Sequence, residues 1–198
     1  MLAASLPATA ATGVFGSFVA IDPDGAGAAS STWYGTQQPG AVKLTDFEGL
    51  NLGSFAQGAT ATISGGELLT WKNGGSDVTG AVLNWRVDGG AWQSISIGFT
   101  SNATFNDAAG NTFTNGGDQK WAQLSNTTTN FLSGLAAGNH TLDIYFNSNT
   151  NEGSRFSGSV ANPFTANFAV TAVPEPTSLA MLMGGLAMVG AARRRRKA

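Results

Sequence analysis

Alternation of apolar and polar residues is the feature of this sequence that most constrains its fold. Before residue 177 no long stretch repeats its apolar residues with a helical period, whereas several short segments place them at every second position. Such a segment can bury one face and leave the other in water. The 27 glycines, scattered between these segments, are typical of turns. The pattern predicts an all-β chain.

The clearest hairpin is predicted between two alternating segments, 81–87 and 92–99. Leu83 and Trp85 share one face of the first segment, which predicts that Trp85 is a core residue. Asp88-Gly89-Gly90 between the segments has the residue types of a tight turn.

Further strands are predicted at residues 140–146 and 164–170, where the alternation is equally clear. Weaker strands are predicted at 13–21, 42–47, 59–63, 68–72 and 120–124, and a short edge strand at 127–132. The Asn-, Gly- and Ser-rich stretches 102–118 and 147–163 are predicted to be surface loops. Together these elements predict a single antiparallel β-sandwich over residues 13–172, with a jelly-roll or an immunoglobulin-like topology.

The C-terminal tail, residues 173–198, has a different composition. Thr177 to Ala192 is a run of 16 uncharged, largely apolar residues, about 24 Å long as a helix. This is shorter than the hydrocarbon core of about 30 Å, but flanking arginines can snorkel to cover the difference. The run is apolar all round, unlike the amphipathic helix of a soluble domain. It predicts one transmembrane helix at 177–192.

Three parts of the tail follow one another in a fixed order. Pro174, Glu175 and Pro176 precede the apolar span, and a basic cluster follows it: Arg193, Arg194, Arg195, Arg196 and Lys197. By the positive-inside rule the basic cluster stays in the cytoplasm and the body lies across the membrane. This tail resembles the PEP-CTERM sorting signal of Gram-negative bacteria. The resemblance is confined to the tail and implies recognition by an exosortase, a membrane-embedded transpeptidase-like enzyme, with cleavage near Pro-Glu-Pro. It also implies association with the cell surface and the exopolysaccharide matrix.

An export signal is expected at the other end of such a chain. Residues 1–12 are uncharged, and Ala8-Thr9-Ala10 fits a small-x-small cleavage site, but a basic n-region is missing. We interpret residues 1–12 as the remnant of an export signal, with Met1 inside the original signal peptide. The alternative is a disordered leader.

Charge and cysteine content exclude several classes of function. Residues 12–173 carry five cations and eleven carboxylates, a net charge of −6, so the body offers no basic surface for nucleic acid. Cysteine is absent, which excludes a thiol nucleophile, a disulfide and a cysteine-ligated metal. No cofactor is predicted.

No catalytic residue is predicted. His140 is the only histidine, it stands at a strand start, and no Gly-x-Ser-x-Gly elbow accompanies it. The carboxylate pairs Asp46 with Glu48 and Glu67 with Asp143 are candidates for a glycan-active hydrolase, but outward-facing solvated carboxylates are the favoured interpretation.

One weak metal candidate is present. Asp22-Pro23-Asp24-Gly25 places two carboxylates two residues apart before a glycine, and calcium accepts such ligands. The bidentate glutamate of a calcium-binding loop is missing downstream, so Asp22 and Asp24 are predicted to form a plain turn, and no metal is predicted.

The chain contains five tryptophans, and exposed aromatic rings can stack on sugars. Trp33, Trp92 and Trp121 are the candidates for glycan contact, although packing within the sandwich is favoured for all of them. The leading interpretation is a non-enzymatic exported protein, held transiently in the inner membrane and then placed at the cell surface or in the matrix. The alternative is a carbohydrate-binding module, and a glycan hydrolase is the least favoured.

Overall fold

The computed structural model describes residues 11–124 and 129–173, and the structural statements below refer to these residues. Thirteen β-strands and one 3₁₀ turn, Ala28–Ser30, make up this part of the chain, and it contains no α-helix. The strands are β1 (Ala11–Asp22), β2 (Thr32–Gln37), β3 (Asn51–Ala56), β4 (Thr62–Asn73), β5 (Val78–Val87), β6 (Gln93–Ile97), β7 (Phe99–Asn102), β8 (Phe105–Asn106), β9 (Thr112–Phe113), β10 (Asp118–Gln123), β11 (Gly138–Thr150), β12 (Arg155–Ser157) and β13 (Phe164–Thr171). The predicted transmembrane helix at 177–192 lies outside the described residues, as does most of the predicted leader.

The strands form two principal sheets. Sheet one has the order β2-β1-β4-β10-β7, and sheet two has the order β3-β13-β11-β5-β6, with β12 also paired to β11. All these pairs are antiparallel except β3 with β13. This pair departs from the purely antiparallel prediction. Because β3 and β13 are far apart in sequence, no short hairpin forces them to run in opposite directions.

One hydrophobic core lies between the two sheets. Val19, Ile21 and Ile63 enter it from sheet one, and Leu142 and Ile144 enter it from sheet two. Burying an aliphatic side chain of this size contributes about 1.5–3 kcal/mol. The alternation in the sequence therefore predicts the inward faces correctly, and the described chain is a β-sandwich.

The predicted hairpin at 81–99 is confirmed as β5 and β6. Asp88 and Gly89 have φ values of 51° and 67°, and the Gly90 N–H donates to the Val87 carbonyl over 2.9 Å. Positive φ at both central positions is the pattern of a type I′ turn, which matches the twist of the strands. Trp85 is buried, as predicted. The strands predicted at 140–146 and 164–170 are confirmed as β11 and β13.

Two predicted strands, 59–63 and 68–72, are replaced by the single long strand β4. Gly65 and Gly66 lie between the two predicted segments. Both glycines allow close approach: a Cβ on Gly66 would lie 2.8 Å from Leu83 Cδ1, and one on Gly65 would lie 2.6 Å from the Gln123 carbonyl. A larger residue would push neighbouring chains apart.

The prediction of a strand at 42–47 is wrong. Residues 42–47 run as a loop that touches sheet one through a single bridge between Gly35 and Asp46. The side chain of Gln38 accepts from Leu44 N–H and donates to Leu44 O, so it takes the place of a ladder partner. The next strand along the chain is β3, which the alternation did not predict.

The segment 102–118, predicted to be a surface loop, folds back over sheet one. Its residues 103–117, which we call the flap, contain the β8–β9 hairpin. Phe105 of the flap packs with Phe18 and Leu69 in a second, smaller hydrophobic cluster on the outer face of sheet one. Burial of these rings explains why a polar-looking segment is ordered. The other predicted loop, 147–163, contains the end of β11 and all of β12.

Candidate functional site

The sandwich leads directly into the tail through β13. This strand lies inside sheet two, between β3 and β11. At its end the Thr171 carbonyl accepts from Gln57 N–H over 2.8 Å, and the Thr171 hydroxyl donates to the Phe55 carbonyl over 3.2 Å. Val173 is 60% exposed. The interior strand β13 therefore ends at Thr171, and only residues 172 and 173 lie between it and Pro174. The sorting residues Pro174, Glu175 and Pro176 and the basic cluster 193–197 lie outside the described residues.

His140 lies at the same end of the sandwich, at the start of β11. Its Nδ1 is 2.6 Å from a carboxylate oxygen of Asp88 in the β5–β6 turn, and its Nε2 is 3.0 Å from the Ala136 carbonyl. The ring also stacks on Phe168, with centroids 5.4 Å apart. Both ring nitrogens face oxygen acceptors, so both are best satisfied as N–H donors in the imidazolium.

The electrostatics of this pair follow from the geometry. The hydrogen bond to Asp88 raises the pKa of His140, although partial burial acts against this shift. For Asp88, burial raises the pKa, but the bonds from His140 and from Thr141 N–H outweigh it and leave the pKa lowered. A histidine whose nitrogens are both engaged has no free lone pair to act as a general base. The arrangement ties the turn to β11.

Asp22 and Asp24, the weak calcium candidate, form a local turn. Asp22 is fully buried. Its carboxylate accepts from the N–H groups of Asp24, Gly25 and Gly27 at 2.7–3.2 Å and from the Ser30 hydroxyl at 2.9 Å. Burial raises the pKa of Asp22, but these bonds outweigh it and lower the pKa. Asp24 accepts from Ala26 N–H. The Asp22 oxygens therefore close the loop, as expected for a plain turn.

The three candidate tryptophans lie in three different places. Trp121 is only 6% exposed and belongs to the main core. Its indole N–H donates to the Thr70 hydroxyl over 3.1 Å. Trp33 is half-buried against the second cluster on the outer face of sheet one. Trp121 is therefore a core residue, as the favoured interpretation had it, and not a glycan contact. It pairs with Leu68 of β4 and faces inward with it.

Trp92 lies on the outer face of sheet two, in an environment that the sequence did not predict. The Arg86 guanidinium carbon is 4.3 Å from its ring centroid, and Tyr145 contacts it edge-on with centroids 4.8 Å apart. Phe156 continues this line, 6.5 Å from Tyr145. We call Trp92, Tyr145 and Phe156 the aromatic row. Phe156 is 54% exposed, so part of the row faces solvent.

The candidate carboxylate pairs are not brought together as a cleft. Asp46 accepts from Gln38 Nε2 over 2.6 Å, whereas Glu48 accepts from Thr165 N–H of β13 over 2.7 Å. Glu67 lies under the flap on sheet one. Asp143 lies on the outer face of sheet two, where it pairs with Arg86 over 2.8 Å. The two sheets, about 10 Å apart, separate Glu67 from Asp143.

The Glu67 site contains a contact that sequence reasoning missed. Glu67 is buried, its carboxylate lies 2.7 Å from Lys120 Nζ, and it accepts from the flap N–H of Ala108 over 2.9 Å. Burial is the main cause of the raised pKa of Glu67, and the hydrogen bond and charge of Lys120 act in the opposite direction. Lys120 also donates to the Asn106 carbonyl of the flap. Only the pairing of β4 with β10 brings Glu67 and Lys120 together, so no local pattern could have revealed the ion pair.

Comparison with known families decides the nature of the tail. The family model of the PEP-CTERM protein-sorting motif matches residues 172–197. The chain carries a PEP-CTERM motif. This confirms the resemblance, and the match begins one residue after β13 ends. A PEP-CTERM motif indicates processing by an exosortase, a membrane enzyme, and export with membrane-linked sorting.

Other comparisons concern the body. No curated protein matches the chain significantly. Among solved structures, the CooA pilin subunit from enterotoxigenic Escherichia coli is similar at 8% identity, with a TM-score of 0.23, over 64% of this chain and 92% of the pilin chain. Within residues 11–124 and 129–173, no helix is long and apolar enough to cross a bilayer.

Proposed function

We propose that this protein is a non-enzymatic exported protein whose β-sandwich is delivered to the cell surface or to the exopolysaccharide matrix. The PEP-CTERM motif at residues 172–197 carries this proposal, because it begins at the residue directly after the last strand of a folded body. An exosortase acting near Pro174 would therefore separate an intact sandwich from its tail.

The topology of the sorting intermediate follows from charge. The basic cluster 193–197 holds the C-terminus in the cytoplasm, and the apolar span 177–192 crosses the inner membrane once. The sandwich then lies on the far side of the membrane. A chain of this kind needs no disulfide, because its two-sheet core buries many large side chains without one.

The contacts of the titratable groups support a non-enzymatic role. Both nitrogens of His140 are engaged. Glu67 is neutralised by Lys120, and Asp143 by Arg86. Each of these groups stabilises a contact between strands, which accounts for its presence without any reaction.

Carbohydrate contact is the second candidate, and the aromatic row is the observation that favours it. Phe156 offers an exposed phenyl face on which a sugar ring can stack, and Tyr145 and Trp92 extend the aromatic surface beside it with their rings tilted and edge-on. In this form the candidate uses Trp92, Tyr145 and Phe156 rather than Trp33 and Trp121. The aromatic row would then be the surface through which the protein associates with the matrix.

Deletion of Arg193 to Lys197 tests the sorting proposal. The full chain would be produced in cells that contain an exosortase, and the accessibility of the body to external protease would be measured after the outer membrane is opened. We expect the deletion to disturb orientation or retention. A variant with all four arginines changed to lysine keeps the charge and should behave as the parent chain. Unchanged localisation and processing in the deletion variant would contradict the proposal.

A further inference from the structure

Very little chain joins the sandwich to the apolar span. Thr171 is fixed within sheet two by its bonds to Gln57 and Phe55, and only residues 172–176 separate it from Thr177. The six Cα–Cα steps from Thr171 to Thr177 span at most about 21 Å when extended. The headgroup zone of one leaflet takes about 5–7 Å of this length. The end of β13 therefore lies within about 15 Å of the headgroups whenever the span is inserted.

Several turns share this end of the sandwich with Thr171. They are the β3–β4 turn at 57–61, the β5–β6 turn at 88–92, the segment 133–138 before β11 and the β1–β2 turn at 23–31, which follows the pair of Asp22 with Thr62. The pairing of Thr171 with Ala56 and of Val170 with Gly138 brings the first and third of these beside the tail. The Asp88 N–H donates to the Thr141 carbonyl and adds the second. We call this surface the tail-proximal end.

The tail-proximal end presents mostly small, uncharged side chains. Its exposed residues include Gln57, Ala91, Ala136 and Ala137. Neither lysine nor arginine occurs in its four turns. These turns hold two carboxylates: Asp88 is bonded to His140 and to Thr141 N–H, and the exposed Asp24 accepts from Ala26 N–H. Such a surface can approach a headgroup layer closely because few charges must lose their hydration.

The opposite end of the sandwich has a different character. Its turns, 74–77 and 151–154, carry two exposed or half-exposed ion pairs: Lys72 with Asp77 at 2.6 Å and Arg155 with Glu152 at 3.2 Å. β11 runs from one end to the other over 13 residues, a length of about 43 Å. The charged end is therefore far from the tail.

We infer that the tail-proximal end is a membrane-facing surface, which lies against the headgroups of the non-cytoplasmic leaflet while the charged end points away. The occupant of this surface is the bilayer itself. The inference rests on the proposed function, because it requires the tail to be inserted. Until the tail is cut, the sandwich is then held close to the membrane with its strands pointing away from the bilayer and with the outer faces of both sheets accessible.

The absence of cysteine makes a single-label experiment straightforward. Gln57→Cys and Ala137→Cys place a fluorophore at the tail-proximal end, and Gly75→Cys and Ser154→Cys place it at the charged end. The labelled full chain would be reconstituted into phosphatidylcholine vesicles that contain a headgroup-linked quencher. We expect several-fold stronger quenching for the first two labels than for the last two. Insertion of a twelve-residue Gly-Ser linker between Val173 and Pro174 should reduce quenching at the tail-proximal end.

Two results would overturn the inference, and they are distinguishable. If the chain floats with the vesicles in a density gradient but quenching is equal at both ends, the inference fails and the sorting proposal stands. If the chain does not float with the vesicles at all, tail insertion fails, and the sorting proposal and the inference both fall.

Discussion

The imidazole of His140 lies 2.6 Å from the carboxylate of Asp88, and this contact fastens the β5–β6 turn to the start of β11. Both residues belong to the end of the sandwich from which the tail leaves. Because His140 is the only histidine of the chain, its titration can be observed without interference from another imidazole.

We expect this pair to make stability depend on pH above neutrality. The pKa of His140 is raised above its ordinary value of 6.5, so the stabilising charge is fully present below pH 6.5 and is lost as the pH rises through the folded-state pKa. Asp88 is partly exposed, which limits the contribution to about 1 kcal/mol, or about 2–4 °C in Tm. Thermal unfolding between pH 6 and pH 9 measures it.

His140→Gln should flatten this pH dependence. Asp88→Asn is the matched control for the turn, because asparagine tolerates the positive φ of 51° at this position and still accepts from Thr141 N–H. It should also flatten the dependence. An unchanged slope in both variants would show that the pair contributes nothing.

Lys120→Met should destabilise the fold strongly. The substitution leaves the buried Glu67 carboxylate without its cation, and breaking a buried pair in this way costs about 3–5 kcal/mol. Urea unfolding gives the change in free energy. Adding Glu67→Gln to the Lys120→Met variant should recover part of the loss, because it removes the uncompensated charge.

The same variant should respond to acid in a defined direction. Burial holds the pKa of Glu67 above its ordinary value of 4.5, and removing Lys120 raises it further. Protonation of Glu67 then favours the folded state, so the deficit of Lys120→Met relative to the parent should shrink as the pH falls toward 4.5. A deficit that grows on acidification would contradict the assignment.

Gly66→Ala should destabilise the sandwich by about 1–3 kcal/mol. The new methyl group would lie 2.8 Å from Leu83 Cδ1 at the centre of the core, whereas a Cβ on Gly75 meets nothing within 4 Å. Gly75→Ala is therefore the control, and it should be neutral or stabilising by about 0.4–1 kcal/mol. Urea unfolding gives the free energy of unfolding of both variants. Equal losses of stability in the two would contradict the close packing of β4 against Leu83.

The aromatic row predicts a difference between two equally exposed phenylalanines. Phe156 belongs to the row, whereas Phe99 lies on β7 of the other sheet, and each is 54% exposed. We expect Phe156→Ala to lower the retention of the isolated sandwich on matrix polysaccharide in affinity electrophoresis, and Phe99→Ala to leave it unchanged. Equal retention of both variants and the parent chain would show that the aromatic row does not contribute to polysaccharide binding.

Local patterns predicted the parts of the fold that local chemistry determines. Alternation and Asp88-Gly89 specify the β5–β6 hairpin without any knowledge of distant residues. Gly65 and Gly66 show the limit of this reasoning. In sequence they resemble a turn, but their need for small size comes from Leu83 and Gln123 on other strands.

The candidate sites likewise divide into one that local sequence determines and others that depend on distant residues. The tail was predictable because proline, an uncharged run and a basic cluster act in order along the chain, and the family match confirms it. The positions of Trp121 and Phe105 depend on which strands pair and on the flap folding back. The cluster of Trp92 with Arg86 and Tyr145 depends on cross-strand neighbours. None of these was visible from spacing alone.

The intact mass of the protein recovered from the cell envelope tests the central claim most directly. The full chain would be produced in matched cells with and without an exosortase, alongside a variant carrying Pro174→Ala and Pro176→Ala. The account predicts loss of the residues beyond the Pro-Glu-Pro region only when the exosortase is present and the motif is intact. An uncut chain in both cell types, recovered from the cytoplasm, would contradict it.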